Sequence, residues 1–234
     1  MGTHLRVEHK DNIATVVLTT PTMPPAFFEE VGACFQELAL NADLRCVVIQ
    51  SDAKAFSYGL DLNKAIQEHG TLLVGAGIAK PRSELLALIK YWQSCFSAVA
   101  NLPVPVIAAV HGWCMGGGLD LISACDLRVA SQDAKFSLRE TRIAIVADLG
   151  SLQRLPHIIG EAKSREIAFT GKDFLASEAL QMGLLNQVHE DQASCIDAAH
   201  RLASEIAANP PLTVRGVKQV MGERIQNSLN QGLN

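Results

Sequence analysis

The run His111-Gly112-Trp113-Cys114-Met115-Gly116-Gly117-Gly118-Leu119-Asp120 constrains this chain more than any other stretch. Its three consecutive glycines stand between a strand-like segment, Val104 to Val110, and an apolar segment, Leu119 to Ala124, that can open a helix. A helix N-terminus leaves backbone N–H groups unpartnered and carries a partial positive charge. Glycine lets another molecule approach that bare backbone. The junction therefore suits a negative charge held against the main chain, either a phosphate or the oxyanion of an enolised carbonyl.

Spacing argues against phosphate. A dinucleotide fingerprint needs glycines in the pattern G-x-G-x-x-G, and here Gly116, Gly117 and Gly118 are contiguous while Gly112 is misplaced. A Walker-type loop needs a lysine after its glycines, and none follows. Close helix–strand packing would account for one glycine but not three. A second loop, Lys54-Ala55-Phe56-Ser57-Tyr58-Gly59-Leu60-Asp61-Leu62, also follows an apolar run, Cys46-Val47-Val48-Ile49, that reads as a buried strand. Two N–H groups from two such strand-end loops, converging on one oxygen, make an oxyanion hole.

The rest of the chain reads as an α/β core followed by helices. Strand signals span Leu5 to Lys10 and Ile13 to Thr19, joined by the turn pair Asp11-Asn12. Helix is expected over Ala26 to Leu40, from about Leu62 to Gln67, and over Ser83 to Ala100, with a Gly-rich surface loop from His69 to Pro81. Short strands are expected at Leu127 to Ala130 and Lys135 to Leu138. Beyond Ile158 most segments read as helix, with Gln192 to Ala208 ended by Pro210-Pro211 before a last helix near Leu212 to Gly222. At 234 residues this is one sizeable core with a helical appendage. We place the core at 1–190 and an apparently incomplete helical region at 191–234.

A formal net charge of −4 and no dense Lys/Arg cluster argue against nucleic acid as a partner. No apolar run approaches the ~20 residues needed to span a bilayer. The N-terminus lacks the apolar segment of a signal peptide, and six scattered cysteines without a CxxC pair read as reduced core residues. These features give a cytoplasmic expectation, with no metal site.

Taken together, Phe56-Ser57-Tyr58-Gly59-Leu60-Asp61-Leu62 and the His111–Gly118 run resemble the paired signatures of the crotonase superfamily, the enoyl-CoA hydratases and isomerases. The similarity runs from about Ile13 to Asn209 and takes in Ala124-Cys125-Asp126-Leu127-Arg128 and Gln153-Arg154-Leu155-Pro156. The resemblance implies a spiral of ββα units with a helical C-terminal trimerisation region, and assembly as a homotrimer or dimer of trimers. It implies an acyl-CoA thioester as substrate, with no cofactor beyond the coenzyme A that the substrate carries. The backbone N–H groups of Tyr58 and Gly117 are then expected to form the hole, with Phe56, Ser57, Gly59 and Leu60 against the substrate.

An oxyanion hole moves no proton, so acids or bases must complete the site. Asp120 is either a helix-start acid favoured by the dipole or a site residue. Glu140, after the strand Lys135 to Leu138, reads by itself as solvated surface. Asp148, enclosed in Ile143-Ala144-Ile145-Val146-Ala147-Asp148-Leu149-Gly150, is either a helix N-cap or a desolvated acid tuned for proton transfer. Relatives that hydrate usually carry glutamates at the first two positions and glycine at the third. Acids at all three resemble the Δ3,5-Δ2,4-dienoyl-CoA isomerase branch. That likeness assigns Glu140 to C2, Asp148 to the distal carbon and Asp120 to ordering the site. The alternatives are an enoyl-CoA hydratase and a CoA-binding scaffold without turnover. His111, Trp92 and Trp113 are expected in packing, Asp61 and Asp126 in turns or caps, and Lys54 in solvent.

Overall fold

The computed structural model describes residues 3–73 and 79–232, with side chains to residue 222. Asp11 and Asn12, at φ 49° and 64°, form the left-handed two-residue turn that such a pair favours. They join β1 (Leu5–Lys10) to β2 (Ile13–Leu18) as an antiparallel hairpin. The chain continues through α1 (Pro25–Ala39), β3 (Cys46–Ser51), α2 (Leu62–Leu73), α3 (Lys80–Ala100) and β4 (Val106–Val110). Next come β5 (Trp113–Met115), α4 (Gly117–Ser123), β6 (Leu127–Ser131), β7 (Lys135–Ser137) and a single 3₁₀ turn over Glu140–Ile143. The last third holds α5 (Ser151–Ile159), α6 (Glu161–Thr170), β8 (Asp173–Leu175), α7 (Ala176–Gln181), β9 (Gln187–His189), α8 (Gln192–Ala207) and α9 (Pro211–Gly232).

Six strands form one sheet in the order β1-β2-β3-β4-β6-β9, parallel from β2 onward. Its central strands β2, β3 and β4 are buried almost throughout because both faces are covered, while the edge strands β1 and β9 carry polar, exposed residues. Alternation along β3 sends Val47 and Ile49 to a core with Phe27, Phe28, Phe35 and Phe96. Cys46 and Val48 face the other way, against Cys195, Ala199 and Ala203 of α8. The first helix of the C-terminal region is thus a layer of the main fold. Helix α9 is tied down by Arg215 Nη2, donating 2.9 Å to the Ala42 carbonyl, and by Lys218 Nζ, 2.7 Å from Asp126 Oδ2. A second sheet, β5-β7-β8, carries the junction to α4, and Ser57 pairs with Cys114 at its edge.

One local expectation fails, and the mostly helical reading beyond Ile158 holds but is incomplete. Residues 69–73, read as loop, continue α2 past a break at His69, where the ring packs edge-on to Trp92 at 6.0 Å. Trp92 in turn stacks on Phe28 at 4.6 Å, so tertiary contacts override the weak helix propensity of Gly70 and Thr71. α3 already begins at Lys80, and residues 74–78 of that expected loop lie outside the described residues. The segment beyond Ile158 contains two short strands, β8 and β9, of three residues each. Three residues are too few to display a period of two. All six cysteines are buried and unpaired, and among the described residues no helix is long and apolar enough to cross a membrane.

Candidate active site

The two glycine loops meet. Phe56 N–H donates to the His111 carbonyl at 2.9 Å, Ser57 N–H to Trp113 at 2.8 Å, and Met115 N–H to Ser57 at 2.9 Å. This zipper holds the 55–61 loop along β5 and sets it beside the start of α4. Each glycine of the triple run has its own reason. Gly116 turns the chain at φ +50°, and an added Cβ would lie 3.1 Å from Glu140 Oε1. Gly118 packs so tightly that a Cβ would come within 2.8 Å of Ser57 Cβ. Gly117, the first residue of α4, offers an N–H that no acceptor among the described residues takes.

The Tyr58 N–H, expected to converge with that of Gly117, is already engaged. The Tyr58 N–H donates to the Pro21 carbonyl at 2.6 Å, so it points away from α4. Met23 lies alongside the same loop, donating to Gly59 at 2.9 Å and accepting from Asp61 at 3.0 Å. Between them Leu60, paired with Met23 in a parallel bridge, leaves its own N–H without an acceptor among the described residues. A Cβ built on Gly117 would lie 3.9 Å from the Leu60 nitrogen. Leu60 and Gly117 are therefore the two free donors that face one another. Phe56 and Ser57, expected against substrate, are 0% and 1% exposed, so they hold the loop in place and cannot line an open site. Gly59 is buried against the Met115 carbonyl, and only Leu60 of the four expected binding residues keeps an exposed part.

The three acids lie within electrostatic reach of one another, and Glu140 abuts Gly116, the residue before Gly117. Asp120, 1% exposed in the first turn of α4, accepts the Ser151 N–H at 2.7 Å. Burial pushes its carboxyl up to about 6, against the pull of Ser151 and of the Arg154 charge. Glu140 opens the 3₁₀ turn after β7 and reaches Gly116 with one oxygen, while the other, Oε2, is buried without a hydrogen-bond partner among the described residues. Burial first, and the negative charge of Asp120 second, push it up to about 7. Burial also raises Asp148 above the ordinary carboxylate range, opposed by a backbone hydrogen bond. Asp148 is not the N-cap of α5: Gly150, at φ +117°, takes that place, and the Ser151 N–H is satisfied by Asp120 instead. Carboxyls raised by burial, with Glu140 next to a free backbone donor, are what proton transfer beside a stabilised enolate requires.

The sequence profile of the family described as Enoyl-CoA hydratase/isomerase matches residues 8–234. The chain belongs to this family. It is 35% identical over 239 residues to the mitochondrial Delta(3,5)-Delta(2,4)-dienoyl-CoA isomerase of Dictyostelium discoideum, covering 98% of this chain and 80% of that protein. The mouse protein of the same name is 39% identical over 199 residues, which cover 84% of this chain and 60% of its own length. Among solved structures, an enoyl-CoA hydratase from Bacillus anthracis superposes with a TM-score of 0.84 at 30% identity, over 99% of this chain and 87% of that one. The fold expected from the two glycine loops is thus that of the family, and the chain is an enzyme of it.

The remaining sequence expectations sort simply. His111 is buried with Nε2 2.9 Å from the Ala53 carbonyl, and Trp92 is core. Asp61 accepts the Lys64 N–H at 3.0 Å and Asp126 the Val106 N–H at 2.7 Å, both capping roles. Lys54 lies over the Tyr58 ring at 5.5 Å, and Lys135 and Arg139 flank Trp113. No cluster of three potential metal ligands occurs among the described residues. What sequence reasoning missed is the unclaimed N–H of Leu60; its signal lay in Pro21 and Met23, which claim the neighbouring N–H groups from almost forty positions away.

Proposed function

We propose that the protein isomerises 3,5-dienoyl-CoA to 2,4-dienoyl-CoA, as in the oxidation of unsaturated fatty acids. The observation that carries this reading is a third raised acid, Asp148, whose charge reaches both Asp120 and Glu140. Shifting two conjugated double bonds needs a proton removed at C2 and a proton delivered at C6. In this account the thioester oxygen lies against the N–H groups of Leu60 and Gly117. Glu140, ionised, takes the C2 proton, and the electron pair spreads over the dienolate that the hole stabilises. Asp148, protonated, returns a proton to C6, after which the two acids exchange protons with solvent. Asp120 holds the Ser151 end of the turn and keeps the Glu140 carboxyl high.

The names carried by the dienoyl-CoA isomerase relatives support the same reading. Coenzyme A enters as part of the substrate and no further cofactor is invoked. Assembly as a homotrimer or dimer of trimers, and a cytoplasmic setting, belong to the same proposal and rest on sequence alone. The test is incubation with 3,5-dienoyl-CoA while following the absorbance of the conjugated 2,4-dienoyl thioester. Wild type is expected to produce it and Asp148→Asn to lose it. Water addition to 2-enoyl-CoA that survives Asp148→Asn, without the double-bond shift, would replace isomerase by hydratase.

A further inference from the structure

Asp148 sits in a turn, not in a helix or strand, and a proton donor there needs something to fix it. The residues from 141 to 146 that lead into it are exposed. Ile143, Ile145 and Val146 are 49%, 42% and 72% exposed, and apolar packing takes hold at Ala147 and Leu149, the two neighbours of Asp148, which are core residues. The polar hold on the backbone between them comes from α3. Gln93 Nε2 donates to the Asp148 carbonyl at 2.7 Å across 55 residues of sequence. One helical turn further on, Ser97 Oγ accepts from Arg154 Nη2 at 3.4 Å, and Arg154 Nη1 donates to the Leu149 carbonyl at 3.2 Å. Positions 93 and 97 share one face of the helix. Two successive carbonyls, those of Asp148 and Leu149, are therefore tied to a single rigid face, one directly and one through Arg154.

Arg154 itself has little freedom. It is 3% exposed, and its guanidinium fills the space over Gly150 where any Cβ would collide with Nη1. The turn can thus neither slide along α3 nor lift from it without exposing a buried cation. Glu140 has no such tie, since it is held from β7 and abuts Gly116. The two acids that the proposed reaction uses are positioned by different parts of the fold.

We infer that Gln93, with Ser97 and Arg154, is a positioning clamp that sets Asp148 for proton delivery at C6 without serving the C2 step. The inference rests on the proposed isomerase reading. A misplacement of about 1 Å at a reacting group can cost on the order of a hundredfold in rate. Gln93→Met keeps the size of the side chain and removes the donor; Gln93→Glu keeps its shape and, when ionised, also cannot donate. Both are expected to lower kcat for the double-bond shift by about 10- to 100-fold with KM changed by less than about twofold. Exchange of the C2 protons with D2O, which uses Glu140 and the hole alone, is expected to stay near the wild-type rate.

The split between the two readouts separates positioning from general damage, which would lower both together. Equal loss of isomerisation and C2 exchange would overturn the clamp, as would a folded Gln93→Met enzyme with unchanged kcat. Failure of both variants to fold, seen by circular dichroism, would assign Gln93 to the fold and overturn it as well. A wild-type enzyme that exchanges C2 protons yet never shifts the double bonds would refute the isomerase reading itself, whatever the Gln93 variants do.

Discussion

Glu140 offers a prediction whose magnitude can be worked through. Its carboxyl titrates at about 7 in the folded protein against an ordinary 4.5. The folded state therefore binds a proton more tightly than the unfolded chain, and this stabilisation is complete below pH 4.5 and lost as pH rises through 7. At about 1.4 kcal/mol per pKa unit, ionising Glu140 costs the fold about 3 kcal/mol by pH 8 and under about 1 kcal/mol at pH 5. Glu140→Gln removes the charge. The replacement amide carries its own pH-independent cost for a buried group without a partner, about 1–3 kcal/mol. The informative quantity is consequently the change in the difference between variant and wild type across pH. For a chain of this length, 1 kcal/mol moves Tm by about 2–4 °C, so the variant should gain roughly 4–8 °C on wild type between pH 5 and pH 8. Differential scanning calorimetry at both pH values measures it. A variant-minus-wild-type difference that does not change with pH would refute the claim that Glu140 is a desolvated acid.

Three further outcomes follow. Gly117→Pro removes one of the two free backbone donors at the first helical position, where proline is tolerated, and should lower kcat by about 10²–10³-fold in steady-state kinetics. The rate should fall on the acid side near pH 7, where Glu140 takes up a proton and becomes unable to act as base, and Glu140→Gln should abolish activity across the range. Gly150→Ala should destabilise by more than about 2 kcal/mol, because a Cβ would meet Arg154 and φ is +117°; urea unfolding reads it.

Much of this was legible in the sequence. The contiguous glycines and the second loop meet as their places after two strands implied, whereas Glu140, which by itself read as solvated surface, is desolvated against Gly116. The hairpin at Asp11-Asn12 and the strands β3, β4 and β6 follow from local chemistry that no tertiary contact contradicts. The errors have physical causes. Tyr58 and Leu60 differ only in which way their N–H groups point, and that is decided by pairing with Pro21 and Met23. Phe56 looks like pocket wall by type, but the parallel sheet needs it as core. Asp148 looks like an N-cap until Gly150 takes a conformation that starts α5 three residues later. Strands of three residues, β5, β8 and β9, owe their existence to their partners.

The central claim is that the three acids and the hole perform a proton shift with no addition of water. Its most direct test is to run the wild-type enzyme on 3,5-dienoyl-CoA in D2O and read the product by mass spectrometry and NMR. The account predicts 2,4-dienoyl-CoA carrying deuterium at C6, and loss of that product in Asp148→Asn with C2 exchange retained. A hydroxyacyl-CoA product, or C6 deuteration that persists without Asp148, would contradict it.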